Sequence, residues 1–132
     1  VYTPTIHLTP YLAQLLASLP RSNEFVFAST EKAGRIADAR ASQDKALQSA
    51  AIDGLTIHGL RRSFSLLGEA AGAPSGAIAQ VMGSVAAAAG GYRPRSIDAL
   101  RPFLEQIETH ILALAGVKFD ATQEPGALRA VA

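Results

Sequence analysis

The sequence predicts a mainly α-helical domain with a small β-sheet, an α+β fold. Three observations point there. Apolar residues recur at helical spacing in about five stretches, only two short stretches alternate as strands do, and turn residues punctuate the boundaries. With 132 residues and 48% hydrophobic content the chain can bury one sizeable core, so residues 1–132 read as a single domain. Charged residues make up 17%, below the usual fraction of about a quarter, which is consistent with a partner or a further segment covering part of the surface.

Each element has its own signal. Val1 to Leu8 alternates β-branched or apolar with polar residues and reads as a short strand entering without a proper beginning, as if cut from something longer. Thr9-Pro10 reads as a helix cap followed by proline at the first helical position. Leu12, Leu15, Leu16 and Leu19 then mark an amphipathic helix closed by Pro20. Glu24 to Ala28 is the second strand, followed by a loop from Ser29 to Gly34. A small-residue helix is expected from Arg35 to Ala51 on Ile36, Ala39, Ala46, Leu47 and Ala50, ended by Asp53-Gly54. Thr56 can cap a helix from Ile57 to about Ala71, with Gly72 as its stop.

Ser75 can cap a short helix through Met82, built on Ile78, Val81 and Met82 and ended by Gly83. Ser84 to Gly91 is nearly all Ala and Gly and offers little anchorage. Ser96-Ile97-Asp98 starts the longest helix, with Leu100, Phe103, Leu104, Ile107, Ile111, Leu112 and Leu114 as its apolar stripe, Pro102 as a kink or restart, and Gly116 as its end. Residues 117–132 are expected to form an extended or mobile C-terminal tail.

Composition limits the function classes. The chain has no cysteine, which excludes disulfides, thiolate metal sites and cysteine nucleophiles. No apolar stretch supports export or membrane insertion, and a cytoplasmic location is the expectation. Twelve basic against eleven acidic residues leave a net charge of +1, so overall charge does not announce a nucleic-acid binder. Distribution is more informative: Arg61, Arg62, Arg93 and Arg95 lie beside the candidate chemistry, while Glu105, Glu108, Asp120 and Glu124 load the C-terminal end with acid.

That chemistry begins in the first turns of the helix at Ile57. Ile57, Leu60, Phe64 and Leu67 share one face, whereas His58 and Arg61, an i, i+3 pair, project together elsewhere. Exposed first-turn N–H groups and the helix dipole favour an anion nearby. Arginine can grip two phosphate oxygens with parallel hydrogen bonds, and histidine can donate to a third or exchange a proton with an attacking or leaving hydroxyl. The bland alternative is a locally packed His58, a solvated Arg61 and a Tyr92 whose hydroxyl meets only water.

The segment Thr56-Ile57-His58-Gly59-Leu60-Arg61-Arg62-Ser63-Phe64 resembles the H-x-x-R box of tyrosine recombinases and phage integrases. Four further segments carry the resemblance over nearly the whole chain. Ile6-His7-Leu8-Thr9-Pro10-Tyr11-Leu12 is similar to the strand-to-helix passage of their catalytic domains, and Phe25-Val26-Phe27 to the next strand. Ala79-Gln80-Val81-Met82-Gly83 is similar to the segment ending in L-G-H, and Gly91-Tyr92-Arg93 to the nucleophile segment.

The resemblance implies the C-terminal part of an integrase catalytic domain that recombines double-stranded DNA at specific sites through a 3′-phosphotyrosine intermediate. It implies no metal or other cofactor. Tyr92 would be the nucleophile, Arg61 the second of the family's two catalytic arginines, and His58 the acid/base or phosphate-orienting group. Arg62, Arg93 and Arg95 are candidates for the DNA backbone; Arg62 could equally pair with an acidic residue to hold its helix. Assembly as a homo-oligomer on DNA is also implied.

Two departures qualify these expectations. The family's first catalytic arginine and its β-hairpin lysine belong before Val1, so the segment alone is expected to be a poor catalyst, since losing one donor costs about a hundredfold or more. Ser84 stands where the motif has His or Trp and cannot act as an imidazole acid. The alternative function is a catalytically inactive DNA-binding module derived from a recombinase. A helical interaction domain using Ile97 to Leu114 as a partner face is a third reading.

Overall fold

A computed structural model of the protein describes residues 5–83 and 94–122. Its helices are α1 (Pro10–Ser18), α2 (Arg40–Ser49), α3 (Ile57–Ala70), α4 (Ser75–Val81) and α5 (Ile97–Leu114). The expectation of a mainly helical domain is met. The small sheet is not found: among the described residues there is a single isolated antiparallel bridge, Ala28 to Arg35, and no strand. Phe25, Val26 and Phe27 are 36%, 40% and 60% exposed, so the segment buries no apolar face, and a lone two-stranded pairing is marginal without one. Thr5 to Leu8 likewise carries no ladder, and Val1 to Pro4 lies outside the described residues.

The core lies where α3, α4 and α5 meet. Ile78 and Ile107 are buried at its centre with Ala73, and Phe64, Ala71, Met82, Phe103 and Ile111 pack around them. The buried stripe of α3 is displaced from the expected one. Ile57 and Leu60 are more than half exposed, and burial begins at Phe64 and is complete at Gly68. Gly68 permits the close approach, because a Cβ there would lie 2.9 Å from Ile78 Cδ1 and 3.3 Å from Ile107 Cδ1. Gly68→Val is therefore expected to destabilise the fold by about 1–3 kcal/mol through overpacking, read as a lower urea midpoint at unchanged slope.

On α5, Leu100, Leu104 and Ile107 are buried, whereas Leu114 is 66% exposed at the end of the stripe. The helix runs unbroken through Pro102. Proline removes the hydrogen bond to the carbonyl of Asp98, but both residues lie on the exposed side, where water can take its place. Gly72 and Gly116, with φ of +86° and +65°, stop α3 and α5 as expected.

Two helix starts depart from expectation. α2 begins at Arg40, not Arg35, because Arg35 is held in the bridge to Ala28 and the Asp38 carboxylate accepts from the Arg40 amide at 2.9 Å. α4 begins at Ser75 with Pro74 as its N-cap residue, so Ser75 lies within the first turn and does not cap it.

α1 is capped from a distance. Thr9 occupies the N-cap position but makes no side-chain cap bond, and Pro10 has no N–H to satisfy. Instead the Glu108 carboxylate of α5 accepts from Tyr11 N at 3.1 Å and Leu12 N at 3.2 Å. His7 Nε2 lies 3.6 Å from Glu105 one turn earlier on α5. Beyond α5 the chain returns along α1, with Phe119 edge-on to Tyr11 and Gln14 Nε2 donating to the carbonyls of Asp120 and Ala121. Glu108→Ala leaves two first-turn amides without that carboxylate and is expected to cost about 1–2 kcal/mol. Glu108→Gln, which keeps one acceptor, should lose less in the same unfolding measurement.

Candidate active site

α3 starts where it was expected to because Thr56 caps it: its hydroxyl oxygen accepts from Gly59 N at 3.0 Å. The cap fixes His58, Arg61 and Arg62 on the opening turns, all three exposed. His58 lines a groove of about 340 Å³ with Thr56 on its own side and Arg40, Gln43 and Asp44 from α2. Gln43 Nε2 donates to the Leu55 carbonyl at 3.3 Å and ties α2 to the approach of α3. At the rim, the Arg40 side chain hydrogen-bonds Asp38 and, together with the Arg40 amide, holds that carboxyl below its ordinary range.

Arg61 points to another element. Its Nη2 donates to the main-chain carbonyl of Met82, the C-terminal cap residue of α4. One such bond leaves further guanidinium N–H groups able to meet an anion. The opening of α3 is thereby joined to the point where the chain leaves α4. Ser84, Tyr92 and Arg93 follow in the sequence and lie outside the described residues.

The chain is described again from Pro94, and Arg95 is held at once. Its N–H donates to Gln80 Oε1 at 2.9 Å, and Gln80 Nε2 donates to its carbonyl at 2.7 Å. The half-buried Arg95 side chain lies with Cζ 5.7 Å from the centre of the Phe103 ring. Gln80 was not singled out from the sequence. Its only local signal is a polar amide among Ile78, Val81 and Met82, which names no partner.

Among the described residues, no three His, Asp or Glu side chains converge as a metal-binding set, and no helix is long and apolar enough to cross a membrane. A second cavity among the described residues, about 300 Å³, is lined mainly by apolar side chains of α1, α3 and α5 and lacks the arginines of the H-x-x-R helix.

Over 121 residues the chain is 41% identical to prophage integrase IntF of Escherichia coli (strain K12). It belongs to the phage integrase, or tyrosine recombinase, family. The aligned region covers 85% of this chain and 26% of the relative, so this integrase segment spans about a quarter of the length of the curated protein it matches. No family model and no solved structure matches the chain. The family resemblance drawn from the H-x-x-R box and its flanking segments is thus upheld at family level.

Proposed function

We propose that this segment forms the phosphate-gripping and nucleophilic part of a site-specific DNA recombination centre. The observation that carries the reading is the hydrogen bond from Arg61 to the Met82 carbonyl, which joins the H-x-x-R helix to the end of α4 just before the stretch containing Tyr92. A phosphodiester beside Arg61 would have its non-bridging oxygens held by guanidinium N–H groups, which stabilise charge as it builds in the pentacoordinate transition state.

In the reaction, the Tyr92 hydroxyl oxygen forms a bond to phosphorus and its proton passes to a base. The bond from phosphorus to the 5′-oxygen breaks, and that oxygen takes a proton as it leaves; His58 has the chemistry to supply it or to orient the phosphate. The products are a 3′-phosphotyrosine and a free 5′-hydroxyl. Attack by a 5′-hydroxyl of a partner strand reverses each bond change and joins the strands.

Arg62, Arg93 and Arg95 would meet backbone phosphates of double-stranded DNA. Strand exchange requires several active centres on one DNA assembly, so a homo-oligomer on DNA belongs to the same proposal.

The test is covalent trapping with the full-length integrase on a nicked cognate site, followed by digestion and mass mapping. A nucleotide-bearing peptide containing Tyr92 is the expected result. DNA binding at low salt with no adduct would replace this reading with a DNA-binding module that lacks catalysis.

A further inference from the structure

We propose that Gln80 is a positioning residue for strand cleavage, acting through the main chain of Arg95 on the placement of Tyr92. The inference rests on the assignment of Tyr92 as nucleophile. Its own observation is the pair of hydrogen bonds, 2.9 Å and 2.7 Å, by which one side-chain amide takes both the N–H and the C=O of Arg95. This is the pairing that a neighbouring strand would make, and it fixes the orientation of the Arg95 main chain as well as its position. A single hydrogen bond would fix only a distance.

Three features make this more than a local tie. Gln80 stands on the last turn of α4, two residues before Met82, whose carbonyl takes the Arg61 guanidinium. The same short helix therefore holds the phosphate-gripping arginine and the chain just after the nucleophile. Tyr92 precedes Arg95 by only three residues in the sequence, so the tether from the anchor to the nucleophile is short. Arg95 makes a second contact through its side chain, with Cζ 5.7 Å from the centre of the Phe103 ring of α5, so the anchor does not depend on Gln80 alone. Transfer to phosphorus requires the attacking oxygen in line and near contact, and a misplacement of about 1 Å can cost a hundredfold in rate.

The test uses the full-length integrase on a nicked site and measures single-turnover adduct formation, DNA affinity and hydrogen exchange of the Arg95 amide. Gln80→Ala is expected to form the adduct roughly 10- to 100-fold more slowly, with affinity within about twofold of the parent and faster Arg95 exchange. Gln80→Glu has nearly the same shape but sets a carboxylate against the Arg95 carbonyl, so it should also be slow, and it serves if the alanine variant folds poorly.

A substrate whose leaving atom is sulfur, a better leaving group that needs no proton, separates the roles further. It should restore cleavage to His58→Ala if His58 is the acid, and should not restore it to Gln80→Ala. Parental cleavage rates in both Gln80 variants overturn the proposal, as does a fall in rate matched by an equal fall in affinity. Tyr92→Phe run in parallel distinguishes the underlying reading: if it still forms the adduct, the nucleophile assignment falls and the role of Gln80 with it.

Discussion

Tyr92→Phe is expected to lower covalent adduct formation by about a thousandfold or more, while DNA affinity stays within about twofold. The change removes one oxygen and leaves the ring, so little shape is lost with the chemistry. Without that oxygen no bond to phosphorus can form from this side chain. Arg61 and His58 would still grip the phosphate, which is why binding should persist. The assay is adduct formation on a nicked site at saturating DNA, alongside a binding titration at fixed salt, because phosphate-driven affinity changes steeply with salt. Equal adduct formation by the variant and the parent would move the nucleophile elsewhere in the protein. Loss of affinity in step with loss of cleavage would instead give Tyr92 a binding role.

Local signals were enough where the residues act on their own neighbourhood. Thr56 caps the helix that begins at Ile57, and Gly72 and Gly116 stop helices by taking positive φ, so α3 and the end of α5 could be read directly. The position of His58 and Arg61 on the opening turns of one helix was legible for the same reason, but their shared direction was not: Arg61 reaches the Met82 carbonyl and His58 lines the groove with α2. Features set by distant partners were not legible. Glu108 caps a helix almost a hundred positions away in the chain, Gly68 matters because Ile78 and Ile107 approach it, and Gln80 matters because Arg95 returns to it.

The strand expected over Glu24 to Ala28 is absent from the described residues for a related reason. Alternation in Glu24 to Ala28 records a tendency to pair, but among the described residues Arg35 alone bridges to that segment, and Phe27 remains mostly exposed. The early start read for α2 failed because Ile36, counted as part of its stripe, lies in the bridged turn and is 42% exposed. Periodicity identifies which residues could share a face, while burial depends on whether another element arrives to cover it.

Arg61 offers the second large effect, and here magnitude decides between two explanations. Arg61→Ala removes both the proposed phosphate grip and the hydrogen bond to the Met82 carbonyl. The structural bond is exposed, and losing such a bond costs about 1 kcal/mol or less of stability. Losing a transition-state donor lowers the rate by about a hundredfold or more, equivalent to roughly 2.7 kcal/mol. A fall of that size at saturating DNA, with a nearly unchanged unfolding midpoint, would therefore assign the effect to chemistry. Arg61→Lys sharpens the test because it keeps the charge but loses the planar fork that binds two oxygens at once. Lysine is expected to recover most of the DNA affinity and little of the cleavage rate. Full recovery by lysine would mean that Arg61 contributes only positive charge, and the two-oxygen grip would have to come from another residue of the integrase.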